Sequence, residues 1–186
     1  MSTNRNVAVI IGSLRKQSLN RKLALVLMEL APPSLTMNIV EIGQLPLYNQ
    51  DHEETPPVAW TAFRDQVGPS DAVLFVTPEY NRSIPGVLKN AVDVGSRPYG
   101  KSIWEGKSAA VVSASPGAAG GFGANYHLRQ SLVGVNVAVM AQPEVCLGGA
   151  DKHFDAEGKL VNPSTAEFLG KFTHAFAAWI ERFVAK

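Results

Sequence analysis

Val7-Ala8-Val9-Ile10-Ile11-Gly12-Ser13-Leu14-Arg15-Lys16-Gln17-Ser18-Leu19-Asn20-Arg21-Lys22 sets the reading of the whole chain. The five apolar residues at its head read as a strand buried on both faces. Beyond Gly12 and the Ser/Arg loop, Leu19, Leu23, Val26, Leu27 and Leu30 recur at helical spacing until Ala31-Pro32-Pro33 stops them. Four cations, Arg15, Lys16, Arg21 and Lys22, sit where that helix begins. A helix N-terminus carries roughly half a positive charge, so basic residues there are unfavourable. No acid lies near in sequence, because the first one is Glu29. Residues 1–28 hold five cations and no acid, so the formal net charge of +1 leaves −4 for the remainder. Glycine, two serines, asparagine and cations at a helix start offer free N–H groups, hydroxyls and positive charge, which suit a phosphate. A solvated basic turn with Ser18 as the helix cap is the plainer alternative, and the pattern favours the anion site.

Outward from this stretch, strand-length apolar runs alternate with helix-period segments. Thr36–Ile42 reads as a second strand, Ala72–Thr77 as a third and Ser108–Ala114 as a fourth. Val137–Met140 and Val145–Leu147 read as pieces of a fifth. Between them lie a polar loop over Gly43–Pro57, a helix over Val58–Val67 and a helix whose first residue is Pro85. Another helix runs from Asn125 to about Val135, and an aromatic-rich helix closes the chain from Phe168 to Phe183. Doubly apolar strands alternating with helices imply a parallel sheet covered on both sides. Such sheets bind ligands beyond the carboxyl ends of their strands. The loops there are unusual. Loop one is the Ser/Arg stretch. Loop two is Thr77-Pro78-Glu79-Tyr80-Asn81-Arg82-Ser83-Ile84-Pro85-Gly86. Loop three is Ser113-Ala114-Ser115-Pro116-Gly117-Ala118-Ala119-Gly120-Gly121-Phe122-Gly123. A planar, partly apolar ligand with an anionic tail would use all three.

The bulk composition sets outer bounds. At 186 residues, 46% hydrophobic and 18% charged, the chain fits one globular domain. A net charge near zero gives no general field for nucleic acid. The single cysteine, Cys146, forms no intrachain disulfide, and no apolar run reaches spanning length, so a soluble cytoplasmic protein is expected. The chain lacks a G-x-x-x-x-G-K-[ST] loop, a G-x-G-x-x-G after the first strand and a G-x-S-x-G elbow. These absences argue against P-loop NTPase, Rossmann dinucleotide and α/β-hydrolase chemistry. Ser13 and Arg15 stand where a response-regulator receiver would need acids. Asp51-His52-Glu53-Glu54 reads as a solvated loop, and no metal site is expected. Cys146 reads as structural, and His127 as packing or capping near a helix start.

Gly12-Ser13-Leu14-Arg15, Ser18 and Asn20, then Pro78-Glu79-Tyr80-Asn81, Ser83, Pro85-Gly86, Leu88-Lys89-Asn90-Ala91 and Asp93, resemble the NADPH-dependent FMN reductase family, nearest its bacterial chromate and quinone reductase branch. Tyr126-His127-Leu128-Arg129-Gln130 and Pro143-Glu144 extend the likeness, which runs from Val7 to about Val184. The resemblance implies a flavodoxin-like three-layer α/β sandwich, its five-stranded parallel sheet in the order 2-1-3-4-5, with residues 1–186 forming one FMN-binding domain. It implies bound FMN, with NADPH or NADH as donor and a small acceptor such as a quinone, chromate or free flavin. Ser13, Arg15, Ser18, Leu19 and Asn20 match the phosphate site. Pro78, Glu79, Tyr80 and Asn81 match the segment along the isoalloxazine ring, largely through backbone; Arg82, next in the chain and counted with the cofactor-binding residues, stands where relatives differ. Ser115 and Gly117 match the loop that closes the ring edge. No acid–base or nucleophilic residue is named, because the chemistry belongs to the cofactor. The resemblance also implies a homodimer or homotetramer, with Tyr126, Arg129 and Glu144 near a dimer–dimer contact. Crowded apolar residues on the third helix, Val87, Leu88, Ala91, Val92 and Val94, point the same way. The rival from another class is a flavodoxin-type carrier of single electrons. Such carriers are strongly acidic, and this chain is not.

Overall fold

The computed structural model describes residues 4–184, so residues 1–3 and 185–186 of the expected domain lie outside the described residues. Strands β1 (Arg5–Ile11), β2 (Leu35–Val40), β3 (Ala72–Thr77), β4 (Ser108–Ala114), β5 (Ala138–Val139) and β6 (Val145–Leu147) form one sheet. All pair in parallel, in the order β2-β1-β3-β4-β5, with β6 also on β4. The sheet thus has six strands where five were expected. Its fifth position is divided between β5 and β6, because Pro143 in the intervening segment has no N–H to give a ladder.

Among the described residues five α-helices cover the sheet: α1 (Leu19–Glu29), α2 (Val58–Val67), α3 (Gly86–Gly95), α4 (Phe122–Val133) and α5 (Pro163–Ile180). Alternation along the strands sends Val9, Leu74 and Val112 to one face, against Leu23 and Leu27 of α1 and Phe172 and Phe176 of α5. Ile10, Phe75 and Val111 go to the other face, against Trp60 and Phe63 of α2, Leu88 of α3 and Leu128 of α4. This is the expected three-layer sandwich. Burying one large apolar side chain contributes about 1.5–3 kcal/mol, so these two layers supply most of the favourable free energy.

Several boundaries move. β2 ends at Val40, the last residue paired with β1, although Ile42 stays buried beyond it. Pro85 occupies the cap position of α3, so the helix starts at Gly86, one residue later than expected. α4 starts at Phe122, three residues before the expected Asn125. α5 starts at Pro163 because the Asn162 side chain accepts from the N–H groups of Ser164 and Thr165, and it stops before Phe183. The apolar crowding on α3 is covered by its own chain. Leu88, Ala91, Val92 and Val94 are buried, and the Trp104 indole donates to the Val92 carbonyl at 2.8 Å. That ground for an oligomer therefore falls away. No helix among the described residues is long and apolar enough to cross a membrane.

Candidate functional site

Loop one leaves β1 at Gly12 and enters α1 through Ser18. The Ser18 hydroxyl accepts from the Arg21 N–H at 3.2 Å, so Ser18 is the helix cap. The cap does not exhaust the N-terminus. The N–H groups of Leu19 and Asn20 have no carbonyl within the helix to bond, and the first turn holds no acid. Asn20 is buried, with both ends of its carboxamide on one residue: Nδ2 donates to the Ala114 carbonyl at 2.9 Å and Oδ1 accepts from the Ala114 N–H at 3.0 Å. It thereby clamps the start of α1 to the end of β4. Of the nearby cations, Arg21 pairs with Glu41, while Arg15 takes part in none of the ion pairs among the described residues. Arg15 and Lys16 are exposed, and Ser13 is buried with its hydroxyl 3.5 Å from the Arg15 nitrogen.

Loop two leaves β3 at Thr77. Tyr80 and Ser83 exchange two backbone hydrogen bonds, of 2.9 and 3.0 Å, around Asn81 and Arg82. Those two residues have φ of 51° and 66°, left-handed values that cost non-glycine residues about 1–2 kcal/mol each. The Glu79 carboxylate accepts from the Ala124 N–H at 3.1 Å and lies 3.5 Å from the Arg82 guanidinium. Loop three folds back on the end of β6, where the Ser115 N–H donates to the Leu147 carbonyl, and the Ser115 hydroxyl accepts from the Gly117 N–H.

These loops meet. One pocket of about 210 Å³ is lined by Ser13, Arg15, Ser18, Leu19, Asn20, Pro78, Glu79, Tyr80, Ala114, Ser115 and Pro116. Nine of the twelve residues expected to bind the cofactor are in that set, three sequence regions brought to one place. The other three stand apart. Asn81 and Arg82 form the turn beyond Tyr80, and Gly117 faces the β6 side, its carbonyl accepting from the Gly120 and Gly149 N–H groups. A second, more apolar pocket of about 310 Å³ adjoins the first and is lined by Gly12, Leu14, Arg15, Tyr80, Pro85, Gly86 and Val87. Arg15 and Tyr80 border both. Gly12, Leu14, Pro85 and Gly86 belong to the sequence motif but carried no expected contact role. Their place beside Arg15 and Tyr80 was the available signal, whereas nothing marked Val87. A larger cavity, about 500 Å³, opens near Arg97, Glu105 and Asn136, just before β4 and β5 begin. It sits at the amino end of the strands and shares no residue with the three loops.

The other singled-out groups are engaged elsewhere. Glu53, in the acidic loop, accepts from the Tyr48 hydroxyl and pairs with Arg97. His127 Nδ1 is 2.8 Å from the Ser83 hydroxyl. Tyr126 donates to Glu144, and that bond raises the phenol above its ordinary pKa. Burial pushes the Cys146 thiol up as well, which suits a structural residue. Arg129 donates to Asn125 and to the Met140 carbonyl.

A tail phosphate fits the cradle of free α1 N–H groups, the Ser13 hydroxyl and an unpaired Arg15, and a flat apolar ring fits the pocket beyond Tyr80. The sequence profile of the NADPH-dependent FMN reductase family matches residues 5–152. A quinone reductase of Pseudomonas putida is 61% identical over 182 residues, 97% of each chain. A 2-hydroxy-1,4-benzoquinone reductase of a Burkholderia species is 44% identical over 174 residues, 94% of this chain and 95% of that one. FerB, a solved flavoenzyme NAD(P)H:(acceptor) oxidoreductase from Paracoccus denitrificans, superposes with a TM-score of 0.91 at 44% identity, over 96% of this chain and 98% of its own. With fold, cleft and sequence pointing one way, the chain belongs to the NADPH-dependent FMN reductase family and is an FMN-dependent NAD(P)H oxidoreductase, not a flavodoxin-type carrier.

Proposed function

We propose that the FMN phosphate is held by loop one, that the ring lies along loop two, and that the acceptor is a small quinone. The observation that carries this reading is the shared border of the two pockets at Arg15 and Tyr80. A ligand with an anionic tail and a planar head needs a polar and an apolar chamber in contact. Bound FMN would supply the redox chemistry between the nicotinamide and the acceptor. The chain's own residues bind and orient. The α1 N–H groups, Ser13 and Arg15 hold the phosphate; Ser18 keeps the helix start in shape, and Asn20 locks it to β4. The backbone of Pro78, Glu79, Tyr80 and Asn81 supports the ring, with Arg82 at its turn. Ser115 shapes the third wall, and Gly117 backs it, its N–H donating to the Ser115 hydroxyl. Leu14, Pro85 and Val87 give an apolar approach on which a quinone ring can pack. The named activities of the Pseudomonas and Burkholderia relatives support the quinone class; chromate and free flavin are the competing acceptors.

The test is steady-state oxidation of NADPH and NADH by the FMN-loaded protein with a benzoquinone, chromate and free FMN in parallel. The expected result is fastest turnover with the quinone and parallel double-reciprocal lines, since donor and acceptor use one open chamber in turn. Intersecting lines would refute the shared chamber, and a preference for chromate or flavin would refute the quinone assignment.

The same reading takes residues 1–186 as one domain acting in the cytoplasm, supported by the single cysteine. It also includes a homodimer or homotetramer. Support comes from α4, where the Phe122 and Tyr126 rings lie tilted against each other, centroids 4.4 Å apart and each residue about half exposed, beside Arg129 and Glu144. Sedimentation equilibrium of the loaded protein distinguishes these states from a 19.9 kDa monomer.

A further inference from the structure

Helix α4 has no cap of its own. Its cap position is Gly121, with φ 80° and no side chain, and its first turn contains no acid. The acceptor for its Ala124 N–H comes from loop two, as Glu79 Oε2 at 3.1 Å. Gly123 leaves room for the approach: a Cβ there would stand 2.9 Å from that oxygen and 3.3 Å from the Arg82 carbonyl. Four residues after Glu79, the Ser83 hydroxyl meets His127 Nδ1 on the next turn of α4, at 2.8 Å. Loop two is therefore tied to α4 at both ends, and between the ties stand the two left-handed residues, Asn81 and Arg82. A turn of that kind persists only where its surroundings over-determine it. The anchor is itself firm, since Asn125 of α4 is buried and donates to the Val111 carbonyl and the Ser113 hydroxyl of β4.

We propose that Glu79 is a positioning residue for the flavin ring: by capping α4 from across the cleft it fixes the backbone of Pro78 to Asn81, on which the ring rests. This inference rests on the reading of loop two as the ring's support. Its hydrogen bond to the helix carries the effect. The ion pair with Arg82 contributes little, because the Arg82 side chain is 87% exposed.

The experiment titrates the full chain, stripped of flavin and reloaded, with FMN and with riboflavin, which lacks the phosphate. Glu79→Ala is expected to weaken both flavins by the same factor, about tenfold, since a charge-assisted hydrogen bond is lost at the ring end. Glu79→Gln keeps an acceptor for the Ala124 N–H and should bind both within about twofold of the parent. Gly123→Ala attacks the same contact from the helix side, since its Cβ would press on the carboxylate and, at 3.3 Å, on the Arg82 carbonyl. It should weaken both flavins, because it displaces the carboxylate. Combining Glu79→Ala with Gly123→Ala should cost less than the sum of the two single losses, since both remove the Glu79 contact. Riboflavin binding spared by Glu79→Ala, a Gln variant as weak as the Ala variant, or additive losses in the pair would each overturn the proposal. Arg15→Ala run alongside separates the two levels. If it weakens FMN and riboflavin alike, the reading of the cleft falls and the inference with it. If it weakens FMN alone while Glu79→Ala weakens neither, only the inference falls.

Discussion

Two helices, α1 and α4, begin at the same edge of the sheet, and their N-termini are finished in opposite ways. α1 is capped from within by Ser18, carries no acid in its first turn and has Arg15 beside it. α4 has only Gly121 at its cap position and receives a carboxylate from Glu79, forty-five residues before Ala124. Both ends carry the same partial positive charge, roughly half an elementary charge. In α4 the protein supplies the anion, so the end is spent on structure. In α1 it supplies none, so the end is left to a ligand. A helix N-terminus becomes an anion site only when the fold leaves it unanswered, and that is decided by residues far away in sequence.

Putting an acid into the start of α1 tests this contrast most severely. Asn20→Asp would turn a donor facing the Ala114 carbonyl into a buried carboxylate beside the phosphate cradle. It should cost FMN binding on the order of 3 kcal/mol or more, about a hundredfold, by fluorescence titration. FMN bound as tightly as by the parent would mean that the α1 terminus is not the phosphate site. Arg15→Ala should come next, with a loss of about 1.5–3 kcal/mol for FMN and almost none for riboflavin. Equal losses would make Arg15 a residue of the fold. The smallest effect belongs to Lys16→Ala. Lys16 is exposed and does not line the pocket, so its removal should shift FMN affinity by only a few tenths of a kcal/mol and respond to added salt. A loss matching that of Arg15→Ala would show that diffuse charge, not a placed guanidinium, holds the phosphate.

The contrast also explains what could be read in advance. The strands over Val7–Ile11, Ala72–Thr77 and Ser108–Ala114 were legible because runs apolar on both faces suit only a doubly covered sheet. The α1 cradle was legible because its signals are contiguous. The start of α4 was not. Gly120, Gly121 and Gly123 look like flexible loop, and the group that caps the helix belongs to another loop. The role of Asn20 was half visible. Its type and position suited a phosphate site, but its bidentate grip on Ala114 depends on the neighbouring strand. The third helix misled for the same reason, since its apolar surplus is covered by Trp104, which follows it around a loop. Local pattern carries strands, caps and turns. Contacts across the sheet carry the rest.

The divided fifth strand has a consequence for the molecule's behaviour in a crowded solution. The last strand of an open sheet is a template on which other chains can add, the usual first step of edge-to-edge aggregation. Here neither piece at that border exceeds three residues, and Pro143 between them has no N–H to offer. Two carbonyls along the border are already taken, Ala138 by the Trp179 indole and Met140 by Arg129. What reads as an irregular strand is a border too short and too occupied to seed a fibre.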